Sequence, residues 1–451
     1  MNVSPYRYKS TYFATSFSSI GITMQFHLIP ASITMASQIF GAFPLETSSW
    51  SLTFPGLTCS VFMLIGGLTQ LYYSGPTIKL CVQDVQKSST DMVNLSFVVL
   101  MSLSNIGSKC SAVFLLKSHL RKICSKVRTV DEYFESVYSM RNNKWAGLGA
   151  TVVFLIYTFV ITPINISKLI QFFRKGSPWD TILFYAFLYL QNISAACTEL
   201  QYISLAFNLH QRFGKINKVL KRIWYNVNTD ESEIMRLDLN SPKCYSSAAR
   251  KARKITPMSK LPCDCTIVTD SCDGFEAFED SSTCSLAQSR QIETEEIENL
   301  RFCHLSTREA LMASYKLYRV QFFFSISTCF SLTVLELYYG FILGKHARLK
   351  PKIVLWLLQF SLRFCVPTIA SQATTNEAIH GRTLIAKICS KMKDPDCVEE
   401  LKLLSDDIKN CNMEFSVFGF FTVNSRLITS AIAAGLTYLV ILIQFSHNST
   451  S

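Results

Sequence analysis

The run LITSAIAAGLTYLVILIQF at residues 427–445 decides the fold class. It is 19 residues long and contains no charged side chain. At 1.5 Å of rise per residue, an α-helix of this length covers about 28 Å, which matches the hydrocarbon core of a bilayer. The run therefore predicts a membrane-spanning helix near the end of the sequence.

Other apolar runs of similar length precede it. They predict spans at residues 51–73, 92–116, 146–168, 181–208, 320–343 and 353–373, which makes 427–445 the seventh. The composition agrees, because 17% of the 451 residues are charged, against roughly 25% in soluble proteins. Residues 20–43 are also apolar but are interrupted by Pro30 and Gly41. They predict an amphipathic segment beside the bundle, and the whole sequence predicts an all-α membrane protein with seven transmembrane helices.

The positions of Lys and Arg predict the orientation of these spans. The connections 118–144, 209–319 and 372–426 are rich in both residues, whereas 74–91 holds only Lys79 and Lys87. The short connection 344–352 is the exception, with four basic residues. Because basic connections stay in the cytoplasm, we expect a cytoplasmic N-terminus and an extracellular C-terminus. The net charge of +12 then indicates anionic membrane lipid as a partner, and not nucleic acid, which would need a basic face on a soluble domain.

The spans divide the chain into seven segments. Residues 1–50 are expected to be a cytoplasmic N-terminal segment, followed by spans one to four (51–208), a long cytoplasmic loop (209–319), spans five and six (320–373), a cytoplasmic helical segment (374–426), the last span (427–445) and an extracellular tail (446–451). The alternation of apolar and basic residues at 208–224 predicts that the fourth span continues as a helix below the membrane. Residues 225–289 lack apolar periodicity and are predicted to be disordered.

The last span contains one distinctive pattern. Thr437 and Tyr438 are followed by five apolar residues and then by Gln444 and Phe445. An amide in an apolar helix is costly unless it meets a partner or water. On physical grounds alone, a Gln at headgroup level would explain the pattern equally well.

The pattern from Thr437 to Phe445 resembles the hallmark of the insect gustatory receptor family, at the place in the chain where that family carries it. Further segments are similar to the family: IFGAFP at 39–44, LHQRF at 209–213, the Leu300-Arg301 and His304-Leu305 pairs, and the run from 415 to 427. The resemblance therefore extends over most of the chain, although the final pattern is its most specific part.

The resemblance implies a tetrameric, ligand-gated cation channel in the plasma membrane of a sensory neuron. Its ligand would be a small-molecule tastant, and its permeants monovalent and divalent cations. Subunits of such channels, either four copies or a mixture with related receptors, meet through the cytoplasmic halves of the last helices, and the last span lines the pore.

Helical spacing then suggests which residues line that pore. Ile441 and Phe445 are four apart and share a face, and Gln444 lies beside them. Four copies of Ile441 and Phe445 would form apolar rings that close a pore by dewetting. The alternative is that these side chains face lipid or the bundle core.

The resemblance also implies a ligand pocket in the outer half of the bundle. The sequence offers aromatic and polar side chains there: Tyr185, Tyr189, Tyr338, Tyr339, Trp356 and Gln359. Ionisable residues within spans often serve a function. Glu336 and Arg363 are predicted to form a structural pair or polar groups of the pocket, and Lys109 is expected to pair with Glu199.

The ligand class is less constrained. Sugar receptors of the main branch of the family carry an acidic residue after the Thr-Tyr pair, where this chain has Leu439. The sequence therefore favours bitter plant compounds, with fructose or another sugar as the alternative.

Other protein classes find less support. A G-protein-coupled receptor would place its N-terminus outside, which the basic connections oppose, and a transporter would show repeated halves. No P-loop, HExxH, GxSxG or GxGxxG motif occurs in a fold that would use it for catalysis. The Cys263–Cys265 pair lacks a second ligand pair at zinc spacing. We therefore expect no catalytic residues, no metal and no cofactor.

Overall fold

The computed structural model describes residues 31–40, 54–83, 89–138, 145–174, 179–229, 280–344, 351–410 and 413–448, together with the single residues 29, 42 and 176. These residues are almost entirely helical. The helices are α1 (Ala31–Ile39), α2 (Phe54–Gln83), α3 (Ser89–Cys110), α4 (Leu116–Tyr138), α5 (Trp145–Arg174), α6 (Trp179–Thr229), α7 (Asp280–Gly344), α8 (Pro351–Cys389), α9 (Pro395–Lys409) and α10 (Ser425–Asn448). A π-helical turn, Ser111–Leu115, joins α3 to α4.

Five of the seven predicted spans fall within a single helix. The span at 92–116 runs through α3, the π-helical turn and the first residue of α4, and the described part of the span at 51–73 begins with α2 at residue 54. Among the described residues, six stretches are long and apolar enough to cross a membrane: Gly56–Tyr73, Val98–Tyr138, Thr181–Asn228, Thr294–Tyr338, Ile353–Cys389 and Ser425–Gln444. The remaining predicted span, 146–168, lies in α5, a 30-residue helix of largely apolar sequence. The prediction of an all-α membrane protein with seven transmembrane helices is confirmed in its coarser form, a mostly helical chain with about six to seven membrane-capable helices.

Several helices are much longer than a bilayer requires. α6 has 51 residues, α7 has 65 and α8 has 39, whereas about 20 suffice for a span. The extensions of α6 and α7 pack with α4, whose buried residues Leu120, Ile123, Val127, Val130 and Phe134 recur at helical spacing. The chain therefore builds a second helical bundle that continues from the membrane-spanning one.

The predicted disordered range, 225–289, is too wide at both ends. α6 continues to Thr229 and α7 begins at Asp280, so those residues are helical and residues 230–279 lie outside the described part of the chain. Adding a residue to an existing helix gains one hydrogen bond without a new nucleation cost. A helix therefore extends past its last packed residue, which a search for apolar periodicity does not detect.

A short β-hairpin precedes the last helix. Its strands, β1 (Ser416–Val417) and β2 (Phe421–Thr422), are antiparallel. The turn has Phe418 at φ 50° and Gly419 at φ 78°, a region that glycine adopts without a steric penalty. Strands of two residues are too short to give a periodic signal, so the sequence predicted only a helical segment here.

Candidate functional site

The last helix, α10, lies at the edge of the bundle. In Ser425–Gln444 no residue is fully buried. Its small residues contact α7: a Cβ placed on Gly435 would lie 3.4 Å from Val334 Cγ2 and 3.6 Å from a ring carbon of Phe330. One narrow stripe of α10 therefore faces the bundle, and the rest of its surface is uncovered in a single chain.

The uncovered surface of α10 carries a polar stripe. Ser430, Thr437 and Gln444 are all exposed and are seven residues apart, which places them within about 20° of one another per interval on a helix. Ile441, which is 39% exposed, lies between Thr437 and Gln444. Tyr438 is also exposed (57%), and the side chain of Phe445 lies outside the described residues.

A buried ionic cluster joins three helices of the bundle. Arg363 of α8 donates from Nε to Glu199 Oε2 of α6 at 2.9 Å and from Nη2 to Oε1 at 2.6 Å. Arg363 Nη1 also donates to Asn192 Oδ1 at 2.6 Å, and Ser325 of α7 donates to Glu199. Both charged side chains are at most 4% exposed, so the bidentate pair is held out of water.

The carboxylate that Arg363 contacts in this cluster is not the predicted one. Glu336 is 11 residues from Ser325 on α7, which is about 16 Å along the helix axis. Gly340, one turn beyond Glu336, lies against Ile353 at the start of α8. Glu336 is therefore near the outer end of α8, well above Arg363.

The predicted pairing of Lys109 with Glu199 is wrong. Lys109 Nζ donates to the carbonyl oxygen of Phe40 at 2.9 Å and also to Ser194. Ser194 Oγ donates to the same carbonyl at 2.8 Å. Because Phe40 follows the last turn of α1, the ammonium group lies at the negative end of that helix. Lys109 thus fixes Phe40, at the end of α1, against the bundle.

The aromatic pocket residues lie at one level of two neighbouring helices. α6 and α8 run in the same direction, because Asn192 contacts Arg363 near one end and Asn217 contacts Glu377 nearer the other. Tyr189 and Gln359 are each about one turn outward from the Asn192–Arg363 contact. Tyr189, Gln359 and Arg363 are buried, at 4%, 2% and 5% exposure.

Two further aromatic residues, Tyr185 of α6 and Trp356 of α8, lie about one turn outward from Tyr189 and Gln359. Tyr185 and Tyr189 have ring centroids 6.4 Å apart, and Trp356 and Phe360 have centroids 5.5 Å apart. Tyr338 on α7 is half-buried, and the side chain of Tyr339 lies outside the described residues. The structure therefore places Tyr185, Tyr189, Trp356, Gln359 and Arg363 along the α6–α8 interface, with Glu336 and Tyr338 on the neighbouring α7.

Buried amides between α2, α3 and α6 were missed by the sequence analysis. A Cβ on Gly67 would lie 3.0 Å from Asn105 Nδ2 and 3.4 Å from Gln191 Nε2, so the two amides converge. Both amide atoms of Gln191 and the Oδ1 of Asn105 are buried without a hydrogen-bond partner among the described residues, as is the hydroxyl of Tyr189. Amides within apolar runs were the available signal, since such groups are expensive in a membrane.

Among the described residues, no group of three or more His, Cys, Asp and Glu is arranged to hold a metal ion.

The comparisons with known proteins decide the family. The model of the 7tm Chemosensory receptor family matches residues 32–449. The chain belongs to this family. Its members are receptors and not enzymes, as the sequence predicted.

Two Drosophila melanogaster proteins are similar to this chemosensory receptor. "Gustatory receptor for sugar taste 43a" is 21% identical over 412 residues, which cover 89% of this chain and 91% of the relative. "Putative gustatory receptor 28b" is 28% identical over 162 residues, 34% of either chain. The resemblance to insect gustatory receptors is thus confirmed.

Solved structures confirm the fold of the receptor. The insect olfactory receptor OR5 from Machilis hrabei superposes with a TM-score of 0.52 at 12% identity, covering 92% of this chain and 97% of the other. The same olfactory receptor in complex with eugenol gives a TM-score of 0.51 at 13% identity and equal coverage.

Proposed function

We propose that this multi-pass receptor is a tastant-gated cation channel of the plasma membrane of a sensory neuron, assembled from four subunits around one pore. The observation that carries the proposal is α10, an apolar helix with a polar stripe and no buried residue in its spanning part. A single chain leaves Ser430, Thr437 and Gln444 uncovered. The Thr437 hydroxyl donates to the carbonyl oxygen of Ala433 in its own helix at 3.0 Å, whereas water would satisfy the amide of Gln444 where lipid would not. Four copies around an axis give these side chains a water-filled lumen.

In the proposed channel, the cytoplasmic N-terminus and extracellular C-terminus follow from the basic connections. Ile441, with Phe445, forms the apolar constriction, and Gln444 provides the polar ring next to it. A ligand that binds the open form more tightly than the closed form shifts the equilibrium toward opening.

The ligand site is proposed to lie between α6 and α8, at Tyr185, Tyr189, Trp356 and Gln359, with Arg363 at its inner end. Gln191 and Asn105 form a second proposed polar subsite on the α2 side of α6, about 200° around that helix from Tyr189. Each unpartnered buried amide costs about 1–3 kcal/mol, which a hydroxyl-rich ligand would offset. Such a lining supports a sugar, and the similarity to a receptor named for sugar taste agrees.

A receptor for bitter plant compounds is the second candidate. Leu439 favours it, because the main branch of sugar receptors carries an acidic residue at that position. Aromatic rings of the kind present at Tyr185, Tyr189 and Trp356 stack on flat heterocycles as well as on sugars.

Current recordings from cells expressing the full chain test the channel and its ligand class together. Fructose, other sugars and a panel of bitter compounds are applied in turn, with cation substitution outside. A sugar-evoked cation current without G-protein signalling supports the proposal. A current evoked only by bitter compounds would show that the ligand is a bitter compound and not a sugar. Signalling through a G protein without any current would contradict the proposal that the receptor is a channel.

Gln191→Leu sharpens the ligand test. The change removes an amide with no partner among the described residues, so the receptor should be at least as stable as wild type. If the amide binds ligand hydroxyls, the concentration for half-maximal response should rise about tenfold or more, the equivalent of about 1.4 kcal/mol. Leu190→Met, on the exposed side of the same helix, is the matched control and should leave the response unchanged.

A further inference from the structure

A basic cavity lies below the membrane-spanning bundle, between α4 and α7. Its volume is about 470 Å³, and it is lined by His119, Lys122, Arg308, Glu309, Met312, Ala313, Lys316 and Asn410. Lys122 and Lys316 are exposed. The volume falls in the range of sites that bind small ligands or headgroups.

The cavity carries an excess of positive charge. Lys122, Arg308 and Lys316 contribute three cations, and Glu309 is the single carboxylate in the lining. Glu309 is itself paired with Lys126 at 3.1 Å, so it does not neutralise the three cations of the lining. Clustered Lys and Arg side chains of this kind bind phosphate oxygens through charge-assisted hydrogen bonds.

The position of the cavity matches the headgroup layer of the inner leaflet. His119 follows the predicted inner end of the second span, residue 116, by three residues, and Lys316 precedes the predicted start of the fifth span, residue 320, by four. These offsets correspond to about 5–6 Å of helix axis. In the proposed orientation, on which this step rests, the cavity is open to the phosphates of cytoplasmic lipids.

The cavity also adjoins the segment that leads to the last helix. Asn410 lies directly after α9, and Arg308 Nη1 donates to the carbonyl oxygen of Asp407 in the last turn of α9 at 3.2 Å. From there the chain passes through the β-hairpin into α10. A bound anion would therefore hold α4, α7 and the end of α9 together.

We propose that this cavity binds the phosphate groups of an anionic lipid headgroup, of the phosphorylated inositol class, and that the bound lipid fixes the end of α9 relative to α7. Lys122 and Lys316 provide the ammonium groups at the open side, and Arg308 provides the guanidinium at the α9 side. The phosphates remain on the lipid, so no covalent step is involved.

Binding to the purified full-length receptor tests this site without any current measurement. The probes are short-chain phosphatidylinositol bisphosphate, short-chain phosphatidylcholine and soluble inositol trisphosphate, each titrated in detergent. The wild type should bind the phosphoinositide, and the double variant Lys122→Gln with Lys316→Gln should bind it at least about tenfold more weakly. Lys387→Gln with Lys402→Gln is the matched control, because it removes two exposed lysines outside the cavity, and should bind within about twofold of wild type.

The other outcomes each overturn part of the proposal. Equally weakened phosphoinositide binding in both double variants would show that the lipid is attracted by net charge alone, and it would overturn the proposed site. Inositol trisphosphate binding as tightly as the lipid would assign the cavity to a soluble phosphate compound in place of a lipid. No phosphoinositide binding, or equal binding of phosphatidylcholine, would overturn the proposal even if the receptor conducts, so its failure is separate from that of the proposed channel.

Discussion

The packed helical core and the last helix of the molecule are opposites in how they use polar residues. In the core, Arg363, Glu199 and Asn192 are buried and hydrogen-bonded to one another across α6 and α8. On α10, Ser430, Thr437 and Gln444 are exposed on one stripe. Buried polar groups that have partners fix one arrangement of the helices. In the proposed channel, the exposed stripe leaves α10 available for neighbouring subunits and for water, so we expect substitutions in the core to change stability and those on α10 to change current.

Arg363→Ala should have the largest effect on stability. It leaves the Glu199 carboxylate buried without its bidentate partner, a change that costs about 3–5 kcal/mol. Size-exclusion chromatography of heated samples should show a clear fall in the melting temperature, or no folded receptor. Arg382→Ala, which removes an exposed arginine of the same helix, should melt like wild type. If Arg363→Ala did so too, the ionic cluster would not stabilise the fold.

Phe415→Ala should have the next largest effect on stability, lowering the free energy of unfolding by about 3–5 kcal/mol. The Phe415 ring is 1% exposed and stacks on Tyr315 with centroids 4.5 Å apart. Phe420 on the same hairpin is 75% exposed, so Phe420→Ala should change the melting temperature little. Equal shifts from the two variants would mean that the hairpin is not anchored by Phe415.

Asn217→Ala should cost about 1–3 kcal/mol, because it removes two hydrogen bonds of a buried amide, one of them to the half-buried carboxylate of Glu377. Asn217 Nδ2 donates to the backbone oxygen and to Oε1 of Glu377, both at 2.8 Å. The neighbouring exposed Lys218→Ala should be within about 0.5 kcal/mol of wild type. A melting temperature unchanged by Asn217→Ala would show that the contact between α6 and α8 below the spans adds no stability.

Gln444→Ala should have the smallest effect on stability, within about 0.5 kcal/mol, since its side chain is exposed in the single chain. Its effect should appear in basal or evoked current, because the variant removes a polar ring from the proposed lumen. Unchanged currents for both Gln444→Ala and Phe445→Ala would contradict the assignment of the pore.

The spans and the family were readable from the sequence because their signals are local. Nineteen uncharged residues before the C-terminus, or a Thr-Tyr pair five residues before Gln-Phe, need no knowledge of neighbouring helices. Hydropathy therefore placed every predicted span on helical residues, as far as the structure describes them.

The partners of buried charges were not readable in the same way. Lys109, Glu199 and Arg363 were recognised as unusual, but both predicted pairings depended on the register between helices. That register is set by packing contacts such as Gly340 against Ile353, which no single-chain periodicity encodes. The same reason explains why the convergence of Asn105 with Gln191 was missed.

The most direct test of the central claim is the chemical accessibility of α10 in the assembled receptor. Thr437→Cys and Gln444→Cys are compared with Ile432→Cys, which is 58% exposed in the single chain but lies about 140° around the helix from Thr437. A small cationic thiol reagent is applied during ligand-evoked current, with the wild-type chain as background. If the polar stripe lines the pore, the reagent blocks current through Thr437→Cys and Gln444→Cys and leaves Ile432→Cys unaffected. Block of Ile432→Cys alone, or of none of the three in channels that conduct, would show that this face of α10 does not line the pore.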